Sequence, residues 1–153
     1  MKQITLPLFV LALATVPALA DTNLAALRNE AQLLRTESAT VKSLLRQKAL
    51  DANTIQEKVA ATQASVQRIQ ELVNTIDGQQ PAWINSAAPI WSEVKTRAEI
   101  LGVIHERKQE LANPDGITKQ RKLLLAHVDG VLDRADKLAQ RLTELERKAV
   151  AKP

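Results

Sequence analysis

The sequence predicts an all-α protein: an elongated antiparallel three-helix coiled-coil bundle with an overlong first helix, following a cleaved signal peptide. Three observations carry this. Apolar residues recur at alternating steps of three and four over most of the chain. Only four Gly are spread over 153 residues, too few for a fold rich in tight turns. Charged residues make up 25% and the hydrophobic class 45%, an ordinary balance for a folded helical domain.

The first twenty residues read as an address. Lys2 precedes an apolar stretch from Ile4 to Val16, and Ala18-Leu19-Ala20 supplies the small residues of a signal-peptidase site. The apolar run is short for a bilayer span. The expectation is a secretory signal over residues 1–20 and a mature domain over 21–153, periplasmic or secreted from a bacterium, with no stable membrane insertion after cleavage. The chain has no Cys, which removes a lipoprotein anchor, disulfides, thiol catalysis and cysteine-based metal sites.

The first helix is expected over about 22–76. Its seam runs Leu24, Leu27, Ala31, Leu34, Ser38, Val41, Leu45, Lys48, Ala52, Ile55, Val59, Thr62, Val66, Ile69, Val73, Ile76. All but Ser38, Lys48 and Thr62 are apolar, and no Gly or Pro interrupts the run. Asp77-Gly78 follows, and Gly there suits a left-handed helix exit. One position argues for an alternative. Thr54-x-x-Glu57 is a possible capping box, so the helix could break near residue 51 and give a four-helix bundle. The absence of Gly or Pro, and a seam that stays in phase, favour continuity.

Gly78 to Ser92 carries no charge, and Pro81 and Pro89 each suit a first helical turn. A helical turn is expected at 82–87 and a second long helix at about 89–112. Asn113-Pro114-Asp115-Gly116 reads as a turn, and a third helix is expected at about 118–149. Its seam runs Leu124, Val128, Val131, Ala135, Leu138, Leu142, Leu145 and Ala149.

In an antiparallel hairpin, facing residues have numbers that add to a constant. Ala87/Leu145, Ile90/Leu142, Val94/Leu138, Leu101/Val131 and Ile104/Val128 share one constant, as do Gly102/Gly130 and His105/His127. Two glycines facing each other, each unfavourable in a helix by about 1 kcal/mol against Ala, suggest a close backbone approach. Ile69/Ile90, Ile55/Ile104 and Ile76/Trp83 pair the first helix with the second in the same way. By this register nothing reaches residues 22–44. Leu24, Leu27, Leu34, Val41 and Leu45 would then form a bare stripe worth about 10 kcal/mol if covered, at about 2 kcal/mol each. They are the leading candidates for contact with a protein partner or a second copy, which makes a homo-oligomer the expectation.

Trp83 and Trp91 are the second candidate contact. They serve either as a docking tip, since Trp is enriched among binding hot spots, or as a cap over Ile76, Leu145 and Ala149. With so few aromatics and with Asp129, Asp133, Asp136, Glu144 and Glu146 among the cations of the last helix, no nucleic acid is expected as partner. No catalytic residues, no cofactor and no metal ligands are assigned. His105 and His127, near Glu106, Glu110 and Asp129, leave a metal-responsive accessory protein as a minor alternative. No Gly-x-Ser-x-Gly elbow is present. The functional expectation is an exported, non-enzymatic coiled-coil protein acting by protein–protein interaction or self-assembly, with a periplasmic holdase chaperone as the runner-up.

Overall fold

The computed structural model describes residues 16–76, 81–106 and 113–151. Among them five helices and no strand occur: α1 (Val16–Arg46), α2 (Ala52–Ile76), α3 (Pro81–Ser86), α4 (Ala88–Glu106) and α5 (Pro114–Val150). α1 packs on α2 and on α5, and α4 packs on α5 and on α2. The short α3 lies against α4 and α5.

The expected helix over 22–76 is not continuous. α1 stops at Arg46, the chain turns through Gln47–Asp51, and α2 starts at Ala52. The break near residue 51, given above as the alternative, is the arrangement found. The physical reason is burial. Folding α1 back covers Leu24, Leu27, Leu34, Val41 and Leu45, each 2% exposed or less. A straight helix would leave them in water. Phase continuity could not separate the two cases, because a hairpin that spends one heptad on its turn leaves the same register on both sides.

The turn is built without Gly or Pro. The Gln47 amide donates to the Leu44 carbonyl at 3.2 Å, tightening the end of α1. Asp51 then caps α2: Oδ1 accepts from the Thr54 amide at 3.1 Å, and Oδ2 accepts from Thr54 Oγ1 at 2.7 Å. The Asp51 carbonyl takes the Ile55 amide, the first bond of the new helix. The cap is therefore Asp51 with Thr54 as its partner, one turn earlier than the Thr54/Glu57 box expected from sequence.

Elsewhere the boundaries move modestly. Asn113 is a helix cap, its side chain accepting from the Asp115 amide at 3.0 Å, and Pro114 opens α5 in the first helical position. The segment expected as a turn is thus the start of the last helix. α3 and α4 follow each other with helical bonds across the junction: Ala87 donates to the Trp83 carbonyl and Trp91 to the Ala87 carbonyl. The end of the second long helix at 107–112 and the Gly78 exit lie outside the described residues.

Inter-helix contacts fix the directions. Going up α1 through Arg28, Arg35 and Lys42, the partners on α5 descend through Glu146, Asp136 and Asp129. Glu30 and Glu37 of α1 meet Arg68 and Ser65 of α2. Both pairs of helices are antiparallel. One core runs the length of the molecule, from Leu24, Ile76 and Leu145 at one end to Leu45, Ile55 and Leu124 at the other. Ala149, expected on the seam, is exposed instead.

Hydrogen bonds from the Thr54 side chain and then its backbone hold the Asp51 carboxyl below its ordinary 3.8. A lowered folded-state value means stability present at neutral pH and lost as pH falls through that value. Asp51→Asn should therefore unfold at lower denaturant than the wild type at pH 7. The gap should close progressively below about pH 4, the ordinary carboxylate range. Parallel urea titrations from pH 7 to pH 2 followed by circular dichroism measure it, and a pH-independent gap would refute the cap.

Candidate functional site

All seven expected contact residues are in the core. Leu27, Leu34 and Leu45 are fully buried, Leu24 and Val41 nearly so, and Trp83 and Trp91 are 0% and 4% exposed. The stripe expected to be bare on the first helix is covered by α2 and α5 within one copy of the chain. The indoles are packing residues at the α3–α4 corner rather than an exposed tip. Trp83 Nε1 is buried without a hydrogen-bond partner, which leaves that ring held by its apolar contacts.

Several charged side chains join helices, a role not assigned to them from sequence. Arg28 reaches Glu146 at 2.5 Å, Arg35 reaches Asp136 at 2.8 Å and Lys42 reaches Asp129 at 2.6 Å. The three cations are one heptad apart, each immediately after a seam residue (Leu27, Leu34, Val41). That is where side chains flank a helix–helix contact and choose its partner. Arg121 adds a bond from α5 to the Gln47 carbonyl at 2.6 Å, just beyond the end of α1. Glu93 of α4 pairs with Arg134 of α5. These groups are partly exposed, so each is worth about 0–1 kcal/mol. Their effect is on register and direction more than on stability.

The signal for the α1–α5 ladder was present: cations in strict heptad spacing on one helix and acids among the basic residues of another. Read one helix at a time, the acids of the last helix looked like interruptions of a positive stripe. They are partners for α1.

A polar layer crosses the middle of the α1–α2 contact. Ser38, Thr62 and Ser65 are buried. Ser65 Oγ donates to Glu37 at 2.6 Å and accepts from Arg68 at 2.8 Å, while Arg68 also bonds Glu30 at 3.0 Å. Thr62 Oγ1 donates to the Lys58 carbonyl. Ser38 Oγ is buried with no hydrogen-bond partner. By the register of the Glu37–Ser65 and Glu30–Arg68 contacts, two of the three polar positions in the long seam, Ser38 and Thr62, lie at the same height, and the third, Lys48, lies in the turn.

The expected approach of Gly130 to Gly102 involves a residue whose surroundings lie outside the described ones, but Gly130 itself has a neighbour that explains a glycine there. A Cβ there would lie 2.6 Å from Arg97 Cδ and 2.7 Å from one guanidinium nitrogen, so the missing side chain leaves room for the Arg97 side chain. The surroundings of Gly102 and the side chain of His105 fall outside the described residues. His127 is half-buried, with Nδ1 unpartnered. Asp129, the nearby carboxylate of the expected histidine pair, is committed to Lys42. Among the described residues no three potential metal ligands come together.

Apolar side chains do reach water on one edge. Ile100 and Val103 of α4 are 37% and 53% exposed, and Leu123 of α5 is 46% exposed. The antiparallel α4–α5 register, with Glu93 at Arg134 and Arg97 at Gly130, places Ile100 at the height of His127 and Val103 at about the height of Leu123. Sequence reasoning missed these residues because each is one step off a core seam. No family model, curated protein or solved structure matches the chain. No described helix is long and apolar enough to cross a membrane.

Ser38→Ala should raise stability by about 1 kcal/mol, because it removes a buried hydroxyl that has no partner and keeps a good helix former. Urea unfolding at pH 7 reads this as a higher midpoint with an unchanged slope. A lower midpoint would mean that the hydroxyl is satisfied in solution.

Proposed function

We propose that the chain is an exported, non-enzymatic helical protein of the bacterial envelope that acts by binding another protein or a second copy of itself. Residues 21–153 are the mature domain, periplasmic or secreted. Its four long helices form an antiparallel bundle of coiled-coil type, a reading supported by heptad-spaced core residues and by charges flanking them.

The observation that carries this proposal is the contrast between a consumed interior and an open edge. The apolar seam residues and both indoles are spent on the fold, and Arg28, Glu30, Arg35, Glu37 and Lys42 of α1 are spent on joining helices. Among the described residues the large apolar side chains that face outward are Leu33 of α1, Val150 at the end of α5, and Ile100, Val103 and Leu123 of α4 and α5, and these last three are the strip proposed for contact. That strip replaces residues 22–45 as the contact surface. Export is supported by the signal-like first twenty residues.

The test has two arms. N-terminal sequencing of the protein recovered from a periplasmic extract should begin at Asp21; recovery of the full chain from cytosol alone would overturn the export arm. A photo-crosslinker placed at Val103 should capture a discrete protein band in intact cells, and Ile100→Asp with Leu123→Asp should abolish it without lowering Tm. No band, or bands unaffected by the two substitutions, would overturn the contact arm. Suppressed aggregation of an unfolded outer-membrane protein at stoichiometric amounts would assign the binding to a holdase.

A further inference from the structure

The α1–α2 turn contains a conflict between local preference and tertiary packing. Arg46, Gln47, Lys48, Ala49 and Leu50 are all among the better helix formers, and neither Gly nor Pro is present. Yet Gln47–Leu50 are not helical. The seam positions run in phase through Leu45, Lys48, Ala52 and Ile55, so straightening the turn would join α1 and α2 into one helix without changing the face of either. The described hydrogen bonds that define the turn are few: Gln47 to Leu44, the Asp51 cap, and Arg121 to Gln47.

A straightened copy cannot cover its own Leu24, Leu27, Leu34, Val41 and Leu45. A second straightened copy offers the same α2 and α5 surfaces, the same acids for Arg28, Arg35 and Lys42, and the same Glu37–Ser65 contact. We propose that this chain forms a domain-swapped dimer in which residues 47–51 become helix and each α1 docks on its partner copy's α2 and α5. The swapped form keeps the contacts of the closed form and differs at the turn, so concentration decides between them. The Asp51 cap favours the closed form, since a capping residue with its side chain turned onto the Thr54 amide stops a helix from running through it. The occupant is a second copy because its α1 carries the seam and the three cations that already fit these α2 and α5 surfaces in the closed form.

The proposal rests on the turn and on the self-association arm of the function above, but not on the Ile100–Leu123 strip, so the two can fail separately. The absence of Cys makes labelling clean. Gln32 and Gln67 are exposed and lie on α1 and α2. They are 35 residues apart (67 − 32), which at 1.5 Å per residue is about 52 Å along one straight helix. In the hairpin, with helices about 8–10 Å apart, the labels stay under about 20 Å. The doubly labelled Gln32→Cys/Gln67→Cys chain is diluted into unlabelled protein, concentrated, and separated by size exclusion. Spin-label distances are then read on each peak.

The expected result is a short distance in the monomer and a distance near 50 Å in the dimer. Asp51→Ala should raise the dimer association constant roughly 25- to 100-fold, about five- to tenfold for the cap lost from each of the two closed monomers. Inserting Gly-Asn-Gly after Ala49 lengthens and breaks the turn and should abolish the dimer while the monomer keeps its helicity. A dimer with the short distance would be a side-by-side contact and would overturn the swap. Persistence of the dimer in the insertion variant, or no dimer from the labelled wild type at millimolar concentration, would do the same. Ile100→Asp with Leu123→Asp should leave the swapped dimer unchanged.

Discussion

The structure depends on covering the apolar face of α1. Leu24, Leu27, Leu34, Val41 and Leu45 together represent about 10 kcal/mol of burial at about 2 kcal/mol each, and a single helix has nothing of its own to cover them with. Once α1 folds back it needs two neighbours, and α2 and α5 are the two it has. α4 then closes the remaining side against α5 and α2. The helix break, the antiparallel order and the place of the last helix follow from that one need. Local preference at Gln47–Leu50 opposes it and loses, as propensities of a few tenths of a kcal/mol per residue do against packing.

Apolar packing alone does not say which way helices run or where they stop sliding. Here polar groups supply that information. Arg28, Arg35 and Lys42 repeat at the heptad step, and their partners on α5 descend in the opposite sense, so a shift of one turn would move cations off their acids. On the other side of α1 the group Glu30, Glu37, Ser65 and Arg68 performs the same task at mid-height. Buried Ser38 and Thr62 add a layer where a slipped register would set hydroxyls against leucine or valine. Stability comes from the seam and specificity from its faults.

Much of the fold was legible in the sequence. The seam named nearly every core residue of α1 and α2, and the uncharged segment after it gave the short helix and the Pro-started one. The reversal after Arg46 was legible only as the less favoured alternative, a break near residue 51. Sequence rules look for Gly or Pro at a sharp turn, and this turn uses neither. Its marker is Asp51 three residues before Thr54, a cap whose partner is a Thr rather than the Glu or Gln of the usual box. Asn113-Pro114 misled in the opposite direction: the same pair marks a turn or a helix start, and here it starts α5. Both errors concern termini, where one side-chain hydrogen bond decides. The contact surface went with the first error, because residues 22–45 are bare only if the helix runs straight. The Ile100–Leu123 strip could not be read from either helix singly, since it exists only once α4 and α5 are set side by side.

The same fact that hid the turn from sequence is what makes it reversible. A turn marked by Gly in a left-handed conformation, or by Pro, excludes helix through that point and commits the chain to one topology. Gln47–Leu50 carry no such commitment; they are turned because α1 is docked, and they would be helical if it were not. Docking and turning are therefore one event, so a chain with α1 undocked has lost the reason for its own break. The straight form exposes a complete seam with its three flanking cations, and the site built to receive that seam is another copy's α2 and α5. Closed monomer and exchanged dimer are thus two ways of satisfying the same five apolar side chains. The Asp51 cap is the local group that separates them, because it stabilises a helix start at Ala52 that the straight form lacks.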